Sequence, residues 1–422
     1  MSWSKVGSGG GILAWLRHEW LVLASLVMLV AVAAGGIGYF RQAASPDSPA
    51  LFGNDYLAFY AAGRMALEGH AAAAYDHAAH ATEQQQLAAE AKGSGALPAT
   101  YYFGYPPTYL ALVAPFATLP YYASLFAFLG LTALLYLAAM WLIWPGWRTV
   151  ILALAVPNAC IAFGFGQNAF LTAGLVGCAL ALLDRRPWLA GILIGLLAVK
   201  PQLGLAFPLV LIATGRWRPL VAATATVVVT ALLSAAVLGV DAWRAFLGIG
   251  GASRSQLLES SAVGFAKIQS LFAALRLAGA SIPVAYVAQA VLALLVAGSL
   301  VMLWRSAADY RLKAAAAAGA TLLMTPFCLA YDLMIEVPAA AFFAAYGAAR
   351  GFRPGELAAL ALVLLTPEVA ALGLLGTTPV GLFGMVVLYA LVIARAFADM
   401  SLSRQPASAP APLHLDPRRA AG

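Results

Sequence analysis

A few ionisable and amide side chains stand in apolar surroundings where they are costly to keep, and they bear on chemistry first. Asp55 follows Asn54 shortly after a long apolar run. A carboxylate there can take the proton of a sugar or lipid hydroxyl, or cap the helix that begins at Tyr56. Lys200 interrupts Gly191–Val199 and Leu203–Thr214, with Pro201 and Gln202 behind it. An ammonium at such a break can hold a phosphate, or pair with Asp55 or Asp332. Gln167 and Asn168 sit in a glycine-bounded turn, Gly164-Phe165-Gly166, and can hydrogen-bond hydroxyls or close a helix hairpin. Tyr105 heads Tyr105-Pro106-Pro107 and joins Tyr101, Tyr102 and Phe103 as a sugar platform or an interfacial belt. Asp332 opens an apolar run as an N-cap, a partner of Lys200 or a second carboxylate. Lys267 and Arg254 are further cations able to meet a phosphate. His77 and His80 have metal-like spacing, but a solvated helix face explains them better and no metal is expected. The chain carries no phosphate-binding loop, dinucleotide fingerprint, zinc motif or nucleophile elbow, so no cofactor is called for.

The elements that position these residues belong to a membrane. Apolar residues make up 63% of the 422 and charged residues 10%, against about 45–50% and 25% in soluble domains. The net charge of +7 is scattered between apolar runs, which sets membrane orientation and gives no reason for a nucleic-acid partner. Three cysteines, all in apolar runs, are too few for a disulfide framework. The expected architecture is an all-α polytopic membrane protein with about 10–12 transmembrane or re-entrant helices.

The N-terminus (1–19) is expected to be cytoplasmic and to lead into a first span at 20–40, longer than the apolar core of a cleaved signal. Residues 41–104 form the one long polar stretch, with six acidic and three basic residues, and are expected outside as surface helices. A polytopic domain (105–398) follows, with 241–282 as a second external segment and Ala266–Ala278 as a surface helix. The tail (399–422) is expected to be cytoplasmic and disordered. Basic connectors at 147–148, 184–186, 216–218, 305–313 and 350–353 are expected inside. All can lie there if 105–120 is re-entrant and 188–214 breaks at Lys200-Pro201-Gln202. Five ordinary spans from 105 to 214 are the simpler alternative, and they leave 184–186 outside.

The ordered series Asp55 with Tyr60, Tyr105-Pro106-Pro107, Gly166-Gln167-Asn168, Lys200-Pro201-Gln202-Leu203, Ala266-Lys267-Ile268-Gln269-Ser270 and Tyr331-Asp332 resembles glycosyltransferase family 87 over roughly 50–350. The resemblance implies a GT-C-type fold and a hexosyltransferase of a bacterial-type plasma (inner) membrane. It implies a polyprenyl-phosphate sugar donor, with mannose the expected hexose, used on the extracytoplasmic side toward a lipid or glycan acceptor. It makes Asp55 the general base and Lys200, Lys267 and Arg254 the contacts to the donor phosphate. Tyr60, Tyr105, Gln167, Asn168, Gln202, Gln269 and Asp332 then line the substrate cavity. One departure is that the family's usual Asp-Phe after the first span reads Asp55-Tyr56. Competing readings are a transporter or flippase, whose broken helices look alike, a lipid-linked glycan polymerase or ligase, and a noncatalytic scaffold. No internal repeat supports the transporter.

Overall fold

The computed structural model describes residues 51–92, 100–253, 258–259, 264–371 and 378–404, with scattered positions between 26 and 45. The expected first span, the tail after 404 and Arg254 lie wholly or largely outside these residues. Among the described residues all regular structure is helical, and the one bridge between extended segments joins Ile268 to Leu329 in antiparallel fashion.

The polar stretch folds into α1 (Asn54–Leu67), a 3-10 turn (Ala71–Tyr75) and α2 (His77–Lys92). Helix α1 is more deeply embedded than a surface-lying helix, since every residue from Tyr56 to Gly63 is buried. His80 Nε2 donates to the Ala58 carbonyl at 2.9 Å while Nδ1 accepts from Gln84, whose amide also bonds both backbone polar groups of Tyr101. Burial pushes this imidazole down to about 4. Its metal-like spacing thus serves a knot between α1, α2 and the chain entering the membrane domain.

Next come α3 (Pro107–Val113), α4 (Tyr121–Ile143), α5 (Trp147–Ala155), α6 (Pro157–Phe165), α7 (Ala169–Leu182), α8 (Pro187–Leu196), α9 (Ala206–Ala213), α10 (Trp217–Leu238) and α11 (Val240–Ser253). The remainder is α12 (Leu271–Leu277), α13 (Ile282–Arg305), α14 (Tyr310–Leu323), α15 (Glu336–Arg350), α16 (Glu356–Ala371) and α17 (Val380–Arg404). Among the described residues, Tyr121–Ile143, Trp217–Leu238, Ile282–Arg305, Ala330–Arg350 and Val380–Ser401 are long and apolar enough to cross a membrane. Four shorter apolar helices accompany them. This is an all-helical, multi-pass membrane architecture.

Three local outcomes follow from single residues. Residues 107–118 form α3 and a 3-10 turn, too short to cross. The run 188–214 breaks at Lys200, which holds φ −138° and ψ 78° before Pro201. The apolar run 149–165 splits into α5 and α6 at a 62° bend. Pro157 causes that split. Its ring forces Val156 to φ −66°, ψ 136°, and it has no N–H to continue the helix. The expected helix over Ala266–Ala278 is likewise reduced to a 3-10 turn at Phe265–Lys267 and the short α12.

The connectors at 184–186, 216–218, 305–313 and 350–353 gather at one end of the bundle. Arg216 pairs with Asp184 and lies 5.6 Å from the Trp304 ring centroid, and Tyr310 donates to the Leu180 carbonyl at 2.5 Å. Arg311 bonds Asp309 and the Ala345 carbonyl. Arg395 clamps Glu356 with two bonds of 2.7 and 2.8 Å and reaches Asp399, which also receives Tyr346 and Arg353.

Candidate active site

Two left-handed glycines build one side of the site. Gly53, which caps α1, and Gly166, which ends α6, have φ of 76° and 70°, values that suit glycine at helix ends. They meet closely. A Cβ at Gly166 would lie 2.6 Å from the Cβ of Tyr56 and 3.2 Å from the Cα of Gly53. The Gly53 N–H donates to the Gly164 carbonyl at 3.2 Å, and the Tyr121 hydroxyl reaches the carbonyls of Phe52 and Gly53. The start of α1 is thereby pinned against the turn after α6. Gln167 directly follows Gly166, and Asp55 lies two residues after Gly53; the Gln167 amide donates to Asp55 Oδ2 at 2.6 Å.

Asp55 is half-buried. Desolvation is the largest influence on its carboxyl and pushes it up to about 6, against the Gln167 bond and the charges of Lys267 and Lys200, which pull it down.

The break at Lys200 builds the other side. Its ammonium donates to Asp332 Oδ1 at 2.6 Å, with both residues buried. The rings of Tyr331 and Tyr105 flank it, their centroids 4.7 and 5.6 Å away, within the range of a cation–π contact. The second oxygen of Asp332 accepts the Leu329 N–H at 3.0 Å. Of the partners open to Lys200, Asp332 is the one bonded, and Asp332 both caps and pairs.

Tyr105 packs against Tyr109 with tilted rings at 4.5 Å and meets Phe59 edge-on at 5.2 Å. Asn168 is fully buried beside the Tyr105 and Tyr109 hydroxyls, yet neither its amide nor the Tyr109 hydroxyl makes a hydrogen bond of good geometry. Gln202 is half-buried two residues after Lys200.

Two expected substrate contacts are engaged by the protein itself. The Tyr60 hydroxyl donates to the Leu119 carbonyl at 2.9 Å. Gln269 donates to Ala266 at 2.9 Å and accepts from the Gly381 N–H at 2.8 Å, while its own N–H bonds the Cys328 carbonyl at 2.6 Å. With Ser270 bonded to the Pro326 carbonyl at 2.7 Å, Gln269 ties the 264–270 loop to the loop before Asp332 and to α17. Lys267, in the middle of that loop, is exposed.

Sequence reasoning missed Tyr109 and Glu336. Glu336 is 1% exposed, one helical turn after Asp332, with no hydrogen-bond partner for either carboxylate oxygen. Its signal was an acid inside an apolar run. A carboxyl of raised pKa oriented by an amide stands near two cations, one of them between aromatic rings. Such a set can take a proton from a hydroxyl and neutralise an anion leaving beside it.

A model of glycosyltransferase family 87 matches residues 102–330, more than half of the chain. The matched segment includes Tyr105, Gln167, Asn168, Lys200, Gln202, Lys267 and Gln269; Asp55 precedes it and Asp332 follows it. No curated protein and no solved structure matches the chain.

Proposed function

The chain belongs to glycosyltransferase family 87 and is a membrane glycosyltransferase, and on that premise we propose that it moves a hexose, mannose first among candidates, from a polyprenyl-phosphate donor to a lipid or glycan acceptor. The observation that carries this reading is the Asp55–Gln167 pair beside Lys200 and Lys267. In the proposed reaction Asp55 takes the proton of the acceptor hydroxyl. The oxygen then attacks the anomeric carbon, and the bond from that carbon to the donor phosphate oxygen breaks. Its electron pair leaves on the polyprenyl phosphate. Lys267, exposed and unbonded in the described structure, meets that phosphate, with Lys200 behind it. Charge stabilisation suffices because phosphate is already a good leaving group. Tyr105, Asn168 and Gln202 hold sugar hydroxyls, and Asp332 keeps Lys200 in place.

The gathered basic connectors support an extracytoplasmic site in a bacterial-type plasma membrane. Positive connectors stay in the cytoplasm, and the turn bearing Gln167 is separated from the basic Trp147-Arg148 connector by the bent pair α5 and α6.

The test is transfer from polyprenyl-phosphate mannose or glucose in liposomes, with wild type and Asp55→Asn. The expected result is transfer by wild type and a loss of about 10²–10⁴-fold in the variant. The stability sign is separate. A carboxyl raised from 3.8 to about 6 favours the fold fully below 3.8 and loses that contribution as pH rises through about 6. Asp55→Asn is therefore expected to melt no lower than wild type at neutral pH. Full turnover by the variant removes Asp55 as the base. Movement of a lipid or solute across the bilayer without transfer overturns the glycosyl-transfer reading.

A further inference from the structure

At the basic end of the bundle, away from Asp55, a cleft of about 400 Å³ opens between the 183–187 and 215–219 connectors. Asp184, Pro187, Arg216, Trp217 and Arg218 line it. Arg216 is held by Asp184 and rests on the Trp304 ring, so its guanidinium has a fixed position. Arg218 is exposed and makes no ion pair in the described structure, and the neighbouring Arg185 and Arg186 are exposed as well. Asp184 offsets one of the two lining cations, and the cleft keeps a positive balance.

Below the arginines the wall changes character. Helices α8 and α10 leave the cleft side by side in one direction. They touch so closely that a Cβ at Gly191 would collide with the Pro219 carbonyl and the Ala222 side chain. Their outward side chains are apolar and open: Trp188 is 55% exposed, Trp217 60% and Val221 55%. Indole rings at that boundary suit the headgroup level of a bilayer, and the aliphatic side chains below suit its acyl chains. Cations above and an apolar seam below match one molecule, a lipid with an anionic headgroup.

We propose that this cleft is a binding site for an anionic phospholipid, its phosphate between Arg216 and Arg218 and its chains along the α8–α10 seam. The site is independent of the transfer chemistry. A cation near a membrane surface is worth about 1 kcal/mol toward anionic lipid, roughly fivefold in affinity. The experiment is native mass spectrometry of the full chain in detergent, titrated with phosphatidylglycerol or phosphatidylcholine. Wild type is expected to retain phosphatidylglycerol preferentially, and Arg218→Gln to bind it about fivefold more weakly. Arg148→Gln, which removes the same charge from another connector, is expected to bind as wild type does. Because Arg218 is exposed and unpaired, its removal leaves the fold intact, and Arg216→Gln is a second variant expected to weaken binding at least as much. Equal weakening by Arg148→Gln, equal retention of phosphatidylcholine, or equally tight binding of soluble glycerol phosphate each overturns the proposal.

Discussion

Two clusters of buried charge occupy this molecule, and they are built on opposite logic. Around Glu356, Arg395 and Asp399 every charge meets its opposite, with both Glu356 oxygens on Arg395 Nη1, Asp399 on Nε, further bonds from Arg353 and Tyr346, and a carbonyl at Gly351 for the remaining guanidinium nitrogen. Around Asp55 the matching is incomplete. One carboxylate oxygen has a neutral amide, Lys267 faces outward, and Asn168 and the Tyr109 hydroxyl lack good partners. Buried polar groups are normally satisfied. The first cluster obeys that rule as a fastener does, and the second leaves capacity for something that arrives.

That contrast can be broken by removing a charge from the fastener. Arg395→Gln strands Glu356 and part of Asp399 in a buried setting and is expected to cost about 3–5 kcal/mol of stability. Transfer per folded molecule should be unchanged, which unfolding in detergent followed by an activity assay on the folded fraction measures. Loss of transfer without loss of stability would mean the two clusters are not separate in role. Gly166→Ala tests the other cluster through its backbone. The left-handed φ and the Tyr56 contact are expected to make it cost about 1–3 kcal/mol. Because the turn must shift, Gln167 should lose Asp55, and transfer should fall by more than the melting temperature suggests.

The smallest effect is the sharpest. Only ionised Asp55 can accept a proton, so transfer should climb as pH rises through about 6 and then level. The Gln167 bond favours the ionised form. Gln167→Ala should therefore move the midpoint upward and lower the rate most at acidic pH. A pH–rate profile reads both, and an unmoved midpoint would detach Gln167 from the base.

Much of this was legible in the sequence, where a residue disagreed with its surroundings. Lys200 and Asp332 were visible because charge in an apolar run is expensive, and Gln167 because it interrupts one. The polytopic helical class came from composition and the lengths of the apolar runs, and the GT-C-type fold from the family resemblance. What stayed hidden was long-range choice. Nothing local says whether Lys200 turns to Asp55 or Asp332, 132 positions ahead. Nor does a glutamine reveal whether its amide meets a sugar or, like Gln269, the backbone of a distant helix. Pro157 is a different case, because its bend was written in the residue type. Arg395 and Glu336 sat in runs whose average hydropathy concealed them.

The tie at Gln269 bears on the order in which the protein is made. Its partners are the Ala266 and Cys328 carbonyls and the Gly381 N–H, and three helices, α12 to α14, separate the loops of Ala266 and Cys328. A nascent chain emerging N-terminus first can insert most of its helices while the loop bearing Lys267 still lacks its last anchor. The site closes when α17 is delivered, near the end of synthesis. A ribosome that stops before residue 380 leaves a polypeptide that looks like a membrane protein by every local measure and has an unfinished active site.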